Sequence, residues 1–440
     1  MSLPRYGSYK DSGVQWLGAV PSTWGVRRIR HLFEIRKRIS GSEGYEVLSI
    51  TQQGIKPKDT ESGDGQLSAD YSKYQFVEVG DFAMNHMDLL TGYVDISPMF
   101  GVTSPDYRVF AIRNKDSCFD RYYLYLFQAG YRNKIFYAFG QGSSQLGRWR
   151  FPTDEFKSFE FPWPPIKEQK QIASVLDRET KKIDALVAEQ ERLVDLLKEK
   201  RQAVISHAVT KGLNPVAPMK ESGVEWLGAV PEHWKVIAFR RVARIEEGQV
   251  SPKDERFSGW TLIAPNHIES GTGRILRLET AAEQGAISGK YRVRAGELIY
   301  SKIRPALNKV CISDIDCLCS ADMYPIQVLE DLLATYLLYV MLSSFFVRLM
   351  VDESMRVAMP KINRDTLYAC RVAIPPIEEQ KLLIHYIGSA VHKYDALTSE
   401  AEAAIALLQE RRTALISAAV TGKIDVHGLV TDQPIEEAAE

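Results

Sequence analysis

The feature that most constrains this chain is that it is written twice. Residues 11–24 read DSGVQWLGAVPSTW, and residues 221–234 read ESGVEWLGAVPEHW. PPIKEQKQI (164–172) returns as PPIEEQKLL (375–383), and KEKRQAVISHAVT (198–210) returns as QERRTALISAAVT (409–421). The offsets are 210, 211 and 211 residues, in one order, so the 440-residue chain is an internal duplication with a period near half its length. Between the matched blocks, residues 25–160 and 235–370 share only landmarks. GDFAMNH (80–86) lines up loosely with GELIYSK (296–302), and SPDYRVF (104–110) with SADMYPI (320–326). Each half is therefore a repeated frame around a divergent body.

The frame reads as helix. Residues 165–211 follow a Pro-Pro pair, contain no further Gly or Pro, and end at Lys211-Gly212, the punctuation expected of a helix start and stop. Every seventh residue from Leu176 gives Leu176, Ile183, Gln190, Leu197 and Val204. A second seam from Glu179 gives Glu179, Leu186, Leu193, Lys200 and His207. The second copy runs Ile387, Tyr394, Ala401, Leu408 and Leu415, flanked by Ala390, Leu397, Ala404, Arg411 and Ala418. Each helix would be about 65–70 Å long at 1.5 Å per residue, and an apolar seam of that length needs a partner. An antiparallel pairing with the duplicate fits best, with a pseudo-twofold relation between the halves; a long amphipathic helix lying on its own body is the alternative. Trp16, Leu17, Trp24 and their twins Trp226, Leu227 and Trp234 are expected to pack body against helix.

Each body reads as mixed α/β. EVLSI (46–50), QFVEV (75–79), DYRVFAI (106–112) and FKSFEF (156–161) look like strands in the first, as do TLIAP (261–265), ELIYSKI (297–303) and YPIQVL (324–329) in the second. Residues 119–139 and 330–350 have helical apolar spacing. A polar loop follows each of these helices, GQGSSQLGRWRF (140–151) and DESMRVAMPKIN (352–363). Hydroxyls and amides interleaved with Arg or Lys suit phosphate contact and base-edge readout; an ordinary solvated loop has the same composition.

No catalytic motif accompanies this. There is no Gly-rich nucleotide loop of the G-x-x-x-x-G-K-[ST] or G-x-G-x-x-G type, and no H-E-x-x-H. Ser97-Pro98-Met99-Phe100 departs from an amino-methyltransferase motif at its third residue. Pro105-Asp106 with Glu155-Phe156-Lys157 imitates a nuclease, but Thr366-Leu367-Tyr368 breaks that pattern in the second half. The five cysteines, Cys118, Cys311, Cys317, Cys319 and Cys370, lack the second pair that a zinc site requires, so buried free thiols are expected and no metal site. Net charge is −1, which announces no polyanionic partner globally. No apolar run is long enough for a membrane span and the N-terminus lacks a signal-peptide core, so a cytoplasmic chain is expected.

The motifs together carry a resemblance. Two variable bodies alternate with two long helices that open with Pro-Pro-Ile-x-Glu-Gln-Lys and close with Ala-x-Ile-Ser-x-Ala-Val-Thr, and Trp-Leu-Gly-Ala-Val-Pro-x-x-Trp stands before each body. This resembles the specificity subunit of type I restriction–modification systems over nearly the whole chain. The resemblance implies an α+β fold of two mixed α/β target recognition domains joined by an antiparallel coiled coil. The implied bounds are 1–163, 164–212 (central helix), 213–374, 375–425 (C-terminal helix) and an acidic tail at 426–440. It implies a non-catalytic subunit that reads double-stranded DNA, one half of a split site per domain, while the helices set the gap. Two methyltransferase subunits and two restriction subunits would dock on the frame. S-adenosylmethionine, ATP and magnesium would belong to those partners, with no cofactor in this chain.

Loop position and chemistry nominate DNA contacts at Arg36, Lys37, Arg38, Ser143, Ser144, Gln145, Arg148 and Arg150 in the first body, and at Lys302, Arg304, Ser354, Arg356 and Lys361 in the second. Arg36 to Arg38 equally suit a solvated helix end. The coiled coil is assigned to Leu176, Ile183, Leu186, Leu193, Leu197, Val204, Ile387, Tyr394, Leu397, Leu408 and Leu415. The rival reading is a duplicated coiled-coil adaptor that binds proteins and no DNA.

Overall fold

The computed structural model describes residues 4–59, 68, 70–142, 149–355 and 360–429. The chain divides into two compact units, residues 1–189 with 404–440, and residues 190–403. Each unit holds one body and a stretch of each long helix. The helix Ile166–Lys211 gives its first half to the first unit and its second half to the second, and Ile377–Val420 does the converse. Both helices end at a left-handed glycine, Gly212 (φ 72°) and Gly422 (φ 72°), the conformation that glycine adopts without a Cβ penalty.

Within each unit the two helix stretches run antiparallel. In the second, Arg201 pairs with Asp395 and Lys198 with Glu402, so one number falls as the other rises. In the first, Arg412 pairs with Asp184, while Arg178 donates to the carbonyl of Leu429 beyond the helix end. Arg201–Asp395 and Asp184–Arg412 are one ion pair repeated, each residue 211 positions from its counterpart.

One seam is as read from the sequence: Leu176, Ile183, Leu197, Ile387 and Ala401 are buried, and Val204, Tyr394, Leu408 and Leu415 are half-buried. The other seam lies one residue further on, at Thr180, Val187, Val194, Arg201 and Ala208, and at Val391, Thr398, Ile405, Arg412 and Ala419. Leu186, Leu193 and Leu397 are instead exposed, at 45%, 42% and 38%. From any seam residue both i+3 and i+4 lie on the same face. The partner chemistry chooses here: Arg201 is buried because Asp395 faces it, and the Thr180 hydroxyl bonds the Leu176 carbonyl within the helix.

The first body is built on a four-stranded antiparallel sheet ordered Phe33–Ile35, Arg108–Ile112, Phe82–Met84, Val94–Ile96. The second has the same order in Ala243–Ile245, Met323–Val328, Leu298–Ser301, Val310–Ile312. Register matches too: Met84 faces Arg108, and Tyr300 faces Tyr324. The bodies diverge outside this sheet. The second adds a four-stranded sheet with one parallel pair, Leu262–Ile263 beside Cys317–Cys319, and the first adds two-stranded pieces instead. All five cysteines are buried free thiols.

Several elements differ from the sequence reading. FKSFEF is not one strand: Thr153–Ser158 is helical and the strand is Glu160–Trp163. Pro152 precedes the helix and Asp154 and Glu155 occupy its first turn, where carboxylates favour helix initiation. The first body's helix is Asp120–Arg132, followed by a 3-10 turn at Phe136–Phe139. Gly130 lets that turn fold back, since a Cβ there would lie 2.3 Å from the Phe136 ring. The second body's helix is broken at Ser343, whose side chain accepts from Phe346 N–H and starts a new helix. The halves Ala334–Leu342 and Ser344–Ser354 are bent by 65°. No single helix among the described residues is long and apolar enough to cross a membrane. At the C-terminus Val426 is fully buried in the first unit's core, so packing continues past 426, where the sequence suggested a tail; residues 430–440 lie outside the described residues.

Trp24 and Trp234 of the repeated tryptophan motif are fully buried. Trp24 and Pro21 press on Gly422, where a Cβ would lie 2.4 Å from Pro21. Trp234 lies against Gly212. Each motif therefore closes the end of the long helix that finishes in its own unit.

Candidate nucleic-acid interface

In the second body the central strand Met323–Val328 carries Tyr324 near its N-terminal end. Its hydroxyl donates to the Ile362 carbonyl at 3.2 Å. Ile362 N–H donates to the Lys302 carbonyl at 2.8 Å, and Ile303 bridges Lys361. Lys302, Arg304 and Lys361, far apart in sequence, are thus brought together by backbone pairing. Arg304 has a left-handed backbone (φ 48°) and its side chain is exposed, as is that of Lys361. The Lys302 ammonium lies 5.4 Å from the Tyr324 ring centroid and the Arg364 guanidinium 5.8 Å, so one aromatic ring carries two cations. Arg364 also pairs with Glu247. Ser354 is not part of this cluster: it is buried and donates to the Val351 carbonyl within its own helix. Arg356 lies outside the described residues.

The first body closes the same way with other side chains. Phe151 N–H donates to the His86 carbonyl at 2.9 Å, and Gln141 bridges Arg150. Arg108, the register equivalent of Tyr324, donates to the Phe151 carbonyl at 3.0 Å and to Thr153 Oγ1 at 3.2 Å, with its guanidinium 4.3 Å from the Phe156 ring. Burial pulls the Arg108 pKa down to about 10. His86 is pushed down to about 3, by burial first and then by the charges of Arg108 and Arg150, so it is neutral at ordinary pH. Arg150 is exposed. Ser143, Ser144, Gln145 and Arg148 lie outside the described residues. Beside this closure is a cleft of about 860 Å³ whose walls include Ser49, Thr51, Lys56, Lys73, Asn85 and Asp106.

Arg36 and Arg38 are engaged elsewhere. Arg36 donates to Asp81 at 2.8 Å, and Arg38 pairs with both Asp81 and Glu78. The Asp81 side chain is 2% exposed, and two guanidinium groups compensate the burial of its carboxylate. Lys37, between them, is exposed. The sequence reading missed Tyr324, Arg364, Arg108 and His86. The landmark alignment does carry a signal for three of them, because it sets His86 opposite Lys302 and Arg108 opposite Tyr324. Among the described residues no group of three His, Cys, Asp or Glu side chains is arranged to hold a metal.

A family model described as the type I restriction modification DNA specificity domain matches residues 21–193 and 231–407. Over 276 residues the chain is 31% identical to the type I restriction enzyme EcoDI specificity subunit of Escherichia coli, a match spanning 59% of this chain and 61% of that protein, under two thirds of its length. It is 23% identical over 287 residues to the type I restriction enzyme MjaVIII specificity subunit of Methanocaldococcus jannaschii, over 62% of this chain and 64% of that one. Its fold matches a chain from a structural study of complex assembly and conformational transition in the type I R-M system, with a TM-score of 0.68 at 14% identity, covering 91% and 98% of the two chains. The HsdS subunit from Thermoanaerobacter tengcongensis matches with a TM-score of 0.50 at 15% identity, over 92% and 98%.

Proposed function

Because this chain belongs to the type I restriction–modification DNA specificity family, we propose that each body reads one half of a split, asymmetric site in double-stranded DNA. The observation that carries the reading is the closure repeated in both bodies. One sheet, one register and one carbonyl anchor recur, the carbonyl bonded by buried Arg108 in one body and buried Tyr324 in the other, while the polar side chains around it differ: His86 and Arg150 in one, Lys302 and Lys361 in the other. A constant scaffold with exchanged polar groups is what two different base sequences demand. Lys302, Arg304, Lys361 and Arg364 supply the cationic contacts of the second body, and Arg150, Lys56 and Lys73 those of the first. Ser143, Ser144, Gln145, Arg148 and Arg356 are proposed to join them.

In this reading the chain is a non-catalytic cytoplasmic subunit. Two methyltransferase subunits dock on the repeated frame and two restriction subunits join them. S-adenosylmethionine, ATP and magnesium belong to those subunits. The two long helices set the gap between half-sites. Inserting four residues into the first long helix and mapping methylation by the assembled complex tests this. The gap should change while both half-site sequences persist; altered half-site sequences would refute the division of labour.

A further inference from the structure

The frame is duplicated, yet one of its positions is used differently in the two units. In the second unit Arg201 does more than pair with Asp395. Its Nη1 donates to the Gly271 carbonyl at 3.2 Å and its Nη2 to the Thr272 carbonyl at 3.3 Å. The same loop lies on Leu338 and Leu342, where a Cβ at Gly273 would sit 3.4–3.5 Å from their methyl groups. A turn of the second body is thus seated on the helix pair, held through its backbone carbonyls.

In the first unit the counterpart Arg412 donates Nε and Nη2 to Asp184, at 2.8 and 3.4 Å, and among the described residues it reaches no turn carbonyl, although the hairpin tip Gln52, Gln53 and Gly54 stands beside it. The counterparts of Leu338 and Leu342 are Leu124 and Gln128, since Gln169 bonds Phe119 N–H as Gln380 bonds Leu333 N–H. Leu124, Gln128 and Arg412 all line a cavity of about 560 Å³, together with Gln53, Arg132 and Lys181. Among the described residues, the place that the second body fills with its own loop is left as this cleft in the first.

We infer that this cleft receives a turn of a partner subunit, which presents backbone carbonyls to Arg412 and an acidic side chain to Arg132 and Lys181. Carbonyls follow from what the twin site binds. The acidic side chain follows from the charges: Arg121 is paired with Asp177 and Arg412 with Asp184, whereas Arg132 donates to the Tyr93 hydroxyl, at 2.9 Å, and among the described residues neither it nor Lys181 meets a carboxylate. A DNA backbone is a poorer occupant, because Asp95, Asp177 and Asp184 line the cleft beside Arg121, Arg132, Lys181 and Arg412, which leaves spare positive charge for one carboxylate and not for a run of phosphates. The inference rests on the proposed assembly with methyltransferase subunits, and it makes their docking unequal in the two units.

The test uses the full chain co-expressed with its methyltransferase subunit. Wild type, the double variant Arg132→Glu/Lys181→Glu, and Gln53→Trp, which fills the cleft from an exposed hairpin tip, are compared by native mass spectrometry and by titration. Melting of each free chain reports folding. The expected result is that both variants fold and lose one of the two partner copies, with affinity for that copy falling by about tenfold or more. Partner binding by Gln53→Trp equal to wild type would overturn the inference and leave the proposed function standing. A fall in DNA affinity with unchanged partner binding would reassign the cleft to DNA and overturn it too. Failure of the wild-type chain to bind any partner would refute the proposed assembly itself.

Discussion

Gln169 Oε1 accepts the backbone N–H of Phe119 at 2.8 Å, where the first body's main helix begins. Its Nε2 donates to the Ser117 carbonyl at 2.9 Å and the Pro164 carbonyl at 2.8 Å. Gln380 repeats this with Leu333 N–H at 2.9 Å, Asp331 at 2.8 Å and Pro375 at 3.0 Å. Both amides are fully buried. Only an amide offers one acceptor and two donors in this shape, so the glutamine of the Pro-Pro-Ile-x-Glu-Gln-Lys motif is a clamp between body and frame.

Gln169→Glu keeps the shape but turns two donors into an acceptor facing two carbonyls. Each buried group left unsatisfied costs about 1–3 kcal/mol. Hydrogen exchange should show faster opening of Asp120–Arg132 in that variant, with the second body unaffected. Gln380→Glu should do the converse. Uniform loss across both bodies would contradict the clamp.

The seam makes a contrast between two leucines one helical turn apart. Leu197→Asp buries a charge without a partner and should destabilise the free chain by about 3–5 kcal/mol. Leu193→Asp places its charge on an exposed face and should stay within about 0.5 kcal/mol of wild type. Denaturant titration of the two variants checks this. Equal destabilisation would mean that the seam is misplaced.

His86 gives a pH dependence. Its folded pKa lies near 3, below the ordinary histidine value, through burial and the charges of Arg108 and Arg150. The unfolded chain therefore binds a proton there that the folded chain refuses between about pH 6.5 and 3. Stability contributed at this position is complete above that window and is lost as pH falls through it. His86→Gln should lessen the drop in unfolding midpoint between pH 7 and pH 5. An identical drop in variant and wild type would show that His86 is not held neutral.

Tyr324→Phe deletes the hydroxyl bond to Ile362 but keeps the ring beneath Lys302 and Arg364. The loss of one neutral hydrogen bond, about 1 kcal/mol, should loosen the closure of the second body. Lys361→Ala should remove one phosphate contact and flatten the slope of log affinity against log salt by about 1. Both changes should weaken recognition of one half-site and spare the other, as competition with half-site-mutated duplexes would show.

Repetition made much of this architecture legible. Helix stops at Gly212 and Gly422, the paired bodies, the strand landmarks and the buried tryptophans all follow from residues that occur twice. What the sequence left open was decided by tertiary partners. Leu193 and Val194 are equally apolar neighbours, and the ion pair of Arg201 with Asp395 selects which one faces inward. Arg36 and Arg38 look like a free basic cluster until Asp81, more than forty residues on, folds between them. Phe159 and Phe161 alternate like a strand and Phe156 reads as its start, yet the acidic first turn after Pro152 winds Phe156 into a helix. Lys302 and Lys361 stand nearly sixty residues apart in sequence, and backbone pairing makes them one surface.

The most direct test of the central claim is a map of modified bases in a methylation-free host that expresses this chain with its methyltransferase subunit. The account predicts a split, asymmetric motif with a fixed gap, in which Lys361→Ala impairs modification through one half only. A continuous palindromic motif, or a Lys361→Ala effect spread equally over both halves, would contradict it.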